Sequence, residues 1–209
     1  MAYAAWLTRK TWRPLLPSLT WGHSGPRMLG AINVDTTWVP LTERGAARAD
    51  QTIARLGTQT STVFVNIRPA DFAAYVVMDI AGKLPPPNDT AVAQARTGAL
   101  RLRTSLDLKQ IGGETSLGPL GTLLHDRERL ELAGTFDVVR RGVAEFRVDD
   151  VRVRDFSVPQ SLIPTLVHRV ENGPHPVGLA SNGLLLNVPP YVADIRVTNG
   201  AVAVYKAVP

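Results

Sequence analysis

Hydrophobic and polar positions change period several times along the chain, and each change marks an element. Residues 42–56 place Ala46, Ala49, Ile53 and Leu56 on one stripe at helical spacing. Thr42 stands where it can cap this helix, Glu43 sits in the favourable first turn, and Gly57 is expected to stop it. Residues 63–67 read as a short strand. Pro69 then opens a second helix in which Phe72, Val76 and Ile80 recur every fourth residue. Gly82 and the run Pro85-Pro86-Pro87 end it.

Beyond residue 99 the period falls to two. Leu100, Leu102, Thr104, Leu106 and Leu108 face one way, and Arg101, Arg103, Ser105 and Asp107 the other. One wet face means antiparallel sheet. Residues 130–139 and 143–158 are further strands, joined at Arg140-Arg141-Gly142. The second changes its apolar parity twice. Phe146 and Val148 are even, Val151 and Val153 odd, Phe156 and Val158 even again. Each change demands a bulge or sharp bend, so the sheet should be strongly curved. Residues 159–170 predict a short helix interrupted by Pro164, with Leu162, Ile163, Leu166 and Val167 apolar. The C-terminus predicts a hairpin: residues 195–198, the pair Asn199-Gly200 that favours a type I′ turn, then residues 201–206. Strands beside strands, with helices between blocks of them, give an α+β fold. It should be a long, strongly curved antiparallel β-sheet packed against two or three helices.

Charge divides the chain. Residues 1–34 carry Arg9, Lys10, Arg13 and Arg27 without any acid, while the rest holds 19 basic and 18 acidic side chains. This leader also contains Trp6, Trp12 and Trp21, three of the four tryptophans, and is broken by Pro14, Pro17 and Pro26. Proline forbids one continuous helix, so an extended docking arm over residues 1–34 is expected, followed by a single domain over 35–209. A near-neutral body gives no reason to expect a nucleic-acid partner. The apolar residues 1–7 are too short and come before their positive charges, which is not the order of a secretory signal. Without cysteine there is no thiol catalysis and no Cys-ligated zinc or iron–sulfur site.

Four groups of residues are candidates for chemistry. His125-Asp126-Arg127-Glu128 is the densest ionisable cluster, and a hydrolase would use His125 as base with Asp126 or Asp149. The plainer reading is a polar loop ahead of Leu130 whose charges neutralise one another. Asp149-Asp150 falls where the parity first flips, and a solvated bulge explains both. Gly22-His23-Ser24-Gly25 lacks the final glycine of a nucleophile elbow. The histidines His23, His125, His168 and His175 show no metal-ligand spacing. No catalytic residue, metal or cofactor is expected.

From about Val63 the chain resembles small bacterial proteins, exported or membrane-tethered, whose layout is similar to the tubular lipid-binding (TULIP) type. The residues that carry this are 151–167, with Val158-Pro159 and Leu162-Ile163-Pro164. Val188-Pro189-Pro190-Tyr191-Val192 leading into the 195–205 hairpin, and 72–83 followed by Leu84-Pro85, complete it. The resemblance implies a curved antiparallel sheet wrapped against helices, an apolar groove, and a place outside the cytoplasm.

Two functional expectations follow. The first is a non-catalytic accessory or structural subunit associated with a membrane, on its periplasmic side, or on the cytoplasmic side if Met1 is the true start and no anchor precedes it. It would dock on the bilayer or on an integral membrane complex, respiratory or photosynthetic for example, through Trp6, Arg9, Lys10, Trp12, Arg13, Trp21 and Arg27. Tryptophan collects at headgroups, and each basic residue near an anionic surface adds about 1 kcal/mol. The second is a lipid-binding module whose apolar groove is lined by Phe72, Val76, Ile80, Leu162 and Leu166. Ordinary core packing explains those five equally well.

Overall fold

The structure, a computed structural model, describes residues 37–58, 62–82, 91–96, 98–107, 127–170 and 175–207. Among these, ten strands and three helices form an α+β fold. In chain order they are β1 (Val39–Pro40), α1 (Glu43–Thr58), β2 (Phe64–Ile67), α2 (Pro69–Ala81), β3 (Val92–Arg96) and β4 (Ala99–Asp107). Then come β5 (Arg127–Arg140), β6 (Val143–Val153), β7 (Phe156–Ser157), α3 (Ile163–Val170), β8 (Gly183–Asn187), β9 (Val192–Thr198) and β10 (Ala201–Lys206). A single 3-10 turn, Gln160–Leu162, leads into α3. The larger sheet runs β1-β3-β4-β5-β6-β7, with β8 also paired to β6; the smaller runs β2-β10-β9. Every pairing is antiparallel.

The apolar parity of β6 explains its curvature. Leu132 pairs with Val151 and Ala133 with Asp150, yet Gly134 pairs with Val148, so Asp149 is an extra residue. The bulge lets Phe146, Val148, Val151 and Val153 all reach the buried side despite their changed parity. Gly134 is required opposite it: a Cβ there would overlap the Arg147 carbonyl oxygen and lie 2.8 Å from the Phe146 ring. The second parity change has another origin. Arg154 and Asp155 form a tight turn, with Arg154 at φ 54°, and β7 folds back on β6. Phe156 therefore leaves the buried set and is half exposed.

The helices follow their patterns closely. Thr42 Oγ1 accepts the Gly45 N–H at 3.0 Å, capping α1. Ala46, Ala49, Ile53 and Leu56 are buried as the stripe predicts. Gly57 does not stop the helix, which runs to Thr58. Its small size instead admits Tyr191, whose ring would lie 2.6 Å from a Cβ at that position. The Tyr191 hydroxyl donates to the Ile53 carbonyl at 2.9 Å, so the Val188–Val192 motif latches onto α1. In α2, Pro69 occupies the first turn and Gly82, at φ 70°, caps the C-terminus.

α2 packs against β3, β4 and β8, α1 against α2 and β2, α3 against β6 and β8, and β9 against β5. One apolar cluster joins them. At its centre the Phe72 ring meets Phe136 edge-on at 5.2 Å, and Phe136 in turn lies 4.9 Å from Phe146. The β9–β10 turn at Asn199-Gly200 has the expected register. It is not type I′, because Gly200 (φ 80°) has a positive φ and Asn199 does not. The Gly200 N–H donates to the Ala95 carbonyl of β3 at 3.1 Å, which ties the turn to the larger sheet.

Candidate functional site

The docking residues Trp6, Arg9, Lys10, Trp12, Arg13, Trp21 and Arg27 lie outside the described residues, as do His23, His125 and Asp126. The five groove residues divide between two places. Phe72 and Val76 are enclosed in the core at 1% exposure, and Ile80 is half-buried against it. Leu166 is half-buried on α3, and Leu162, at 37% exposure, faces solvent in the preceding turn. α2 and α3 both touch β8, which is the element between these two sets.

The 125–128 cluster is not wholly loop, because Arg127 and Glu128 already belong to β5. The strand begins three residues ahead of Leu130 because Arg127 and Glu128 pair with Asp107 and Leu106 of β4. Glu128 is buried and holds the Arg154 guanidinium at 3.1 Å, closing one side of a polar cleft of about 270 Å³ shared with Arg129 and Asp155. At the bulge, Asp149 accepts the Thr135 hydroxyl at 3.3 Å while Asp150 pairs with Arg152 at 3.4 Å. The two carboxylates thus serve different partners. His168 and His175 meet edge to face with ring centroids 4.6 Å apart. No group of three metal-binding side chains forms among the described residues.

The sequence concealed how its other acids are used. Glu145 lies on the polar parity of β6, yet its side chain is only 2% exposed. It takes Arg147 Nη2 at 2.5 Å and the Ala180 N–H at 2.8 Å, so residues before β8 roof it over. Asp71, in the first turn of α2, binds Arg48 through two bonds of 3.1 and 2.7 Å and also Arg68 at 2.8 Å. Glu131 on β5 holds Arg103 at 3.0 Å and Arg101 at 3.3 Å across the strand pair. Trp38, the fourth tryptophan, covers the Arg103 guanidinium at 4.1 Å. Glu145's hydrogen bond raises the pKa of Arg147, Asp71's that of Arg48, and Asp194's that of Arg196. Each arginine is held charged by its partner. Burial, helped by Asp79 and Asp50, pushes the Tyr75 phenol up to about 12 and keeps it neutral. Tyr191 rises for the same reasons, burial first and then Asp50.

Comparison with known proteins finds no match among family models, curated proteins or solved structures.

The distribution of surface charge therefore becomes the main clue. Arg44, Arg48 and Arg55 recur along one exposed face of α1, opposite its buried stripe. The shared Asp71 brings Arg68 beside Arg48. No residue spacing announces this four-arginine face, because Arg68 belongs to the entry of the next helix.

Proposed function

We propose that the chain is a non-catalytic accessory subunit that docks on the periplasmic surface of a membrane or an integral membrane complex. The tryptophan- and arginine-bearing leader makes the contact. The observation that carries this reading is the commitment of the acids. Asp71, Glu128, Glu131 and Glu145, all buried or nearly so, each hold one or two guanidinium groups. Carboxylates engaged in this way position strands and helices and are poor general bases. Binding is then left to the leader, with its three tryptophans, four cations and no acid.

A TULIP-like lipid-binding module, with an apolar groove between the sheet and a helix, is the second reading, supported by the bulged, curved sheet. It asks more of the molecule. An acyl chain between α2 and the sheet would have to displace Phe72 and Val76 from full burial.

The leader reading is tested by fractionation of native membranes. Protein lacking residues 1–30 should be recovered in the membrane fraction at about a tenth of the intact chain's level or less, from the loss of four cations at about 1 kcal/mol each and three interfacial aromatics. Recovery equal to that of the intact chain refutes it.

A further inference from the structure

We infer that the arginine face of α1 is a second contact site and that it binds the phosphate headgroups of an anionic bilayer, an inference that rests on the membrane-docking reading for its partner.

Residues 35–209 are close to neutral, yet Arg44, Arg48 and Arg55 line one face along the length of α1 and Arg68 adjoins Arg48 through the shared Asp71, although α1 also carries Glu43 and Asp50 away from that face. All four are exposed, and Arg48 and Arg68 remain 49% and 68% exposed while gripping Asp71. Fold and charge reinforce each other here. Gly45 allows the first turn of α1 to approach Asp71, in the first turn of α2, closely enough that a Cβ would lie 2.7 Å from Asp71 Oδ1. Two helix N-termini, each the positive end of its dipole, thus lie side by side next to Arg44, Arg48 and Arg68, whereas Arg55 stands in the last turn of α1.

The geometry is preorganised. Arg48 uses Nε and Nη2 on Asp71, and so does Arg68. Their Nη1 groups remain for an outer acceptor, and the cost of fixing two long side chains is met within the fold. Arg55 is similarly steadied by the Gln51 carbonyl and the Thr52 hydroxyl, at 3.3 and 3.4 Å.

The occupant follows from what accompanies the charge. Among the described residues, Gln51 and Thr52 lie between the arginines, and this face of α1 carries neither an aromatic ring on which a nucleic-acid base could stack nor a large apolar anchor for a protein hot spot. The exposed side of a helix is convex. A convex set of phosphate-seeking guanidiniums without a recognition pocket suits a flat, laterally adaptable anionic surface.

Arg44 and Arg55 take no part in the Asp71 pair, so the full chain carrying R44Q and R55Q keeps its helix contacts. Partition is measured by co-sedimentation with phosphatidylcholine vesicles, with and without phosphatidylglycerol. Each lost charge should weaken binding to the anionic vesicles about fivefold, and the pair roughly 25-fold, with little change on phosphatidylcholine alone. Raised salt should erase the difference. A variant carrying W6A, W12A and W21A separates the two readings, since it should lose binding to both vesicle types. If that variant binds normally, the leader reading fails. If the arginine variant binds anionic vesicles as well as the parent chain, the present inference fails. Duplex DNA that displaces the protein from anionic vesicles in an Arg44- and Arg55-dependent way also overturns it, in favour of a nucleic-acid partner.

Discussion

Replacing Phe72 by alanine is expected to cost about 3–5 kcal/mol of unfolding free energy, the range for removing a large aromatic side chain from a closed core. The ring is 1% exposed and sits edge-on to Phe136, 6.0 Å from Tyr75 and one ring away from Phe146. Its removal leaves a cavity that α2 cannot close without leaving β3, β4 and β8 together. Urea titration followed by circular dichroism measures this as a lower midpoint at an unchanged slope. Leu162, 37% exposed, should lose less than about 1 kcal/mol on the same substitution. The contrast bears on function. A helix–sheet interface built to exchange an acyl chain would tolerate Phe72→Ala and respond to added lipid, whereas a sealed core shows the full penalty.

The second large effect lies at Glu145. Glu145→Ala is expected to cost about 3 kcal/mol, because it removes the closer of the two carboxylates that hold Arg147 and leaves the Ala180 N–H without its acceptor. Arg147 is 40% exposed and already donates to Asp137 at 3.2 Å, a contact it keeps, which holds the loss below that of a fully buried pair. The effect is separable from simple loss of packing. Gly183 lies so close to Glu145 Oε2 that a Cβ would overlap it. Gly183→Ala should therefore be harmful in the parent chain and less so beside Glu145→Ala. A double-mutant cycle of denaturation midpoints should give a coupling of about 1 kcal/mol or more. Additive effects would show that the carboxylate does not clamp the 180–183 segment.

Period and parity made much of the fold legible. The spacing of Phe72, Val76 and Ile80 gave α2 between its proline and glycine signals, and the shift from Val148 to Val151 located the bulge at Asp149. Both are local signals, readable because one buried face imposes a period. Elements without such a period stayed hidden. Gly183-Leu184-Leu185-Leu186-Asn187 does not alternate, and β8 exists because β6 offers it an edge. β3, alanine-rich and short, is likewise made by its neighbours β1 and β4. Arg154 in a left-handed turn gave no glycine to betray the reversal into β7. The site was legible in part only. The acids could be seen, but their partners are 23 residues away for Asp71 and Arg48 and 35 for Glu145 and Ala180, distances that local pattern does not span.

The central claim is that this protein works by contact made through its leader. Tryptophan emission tests it most directly, since three of the four tryptophans stand at positions 6, 12 and 21. In a chain carrying Trp38→Phe, all emission reports on the leader. Adding membranes or anionic vesicles should shift it to the blue and shield it from an aqueous quencher, as indoles move to the headgroup level. Emission that stays unchanged in both colour and quenching, at lipid concentrations where the protein sediments with the vesicles, would contradict the account.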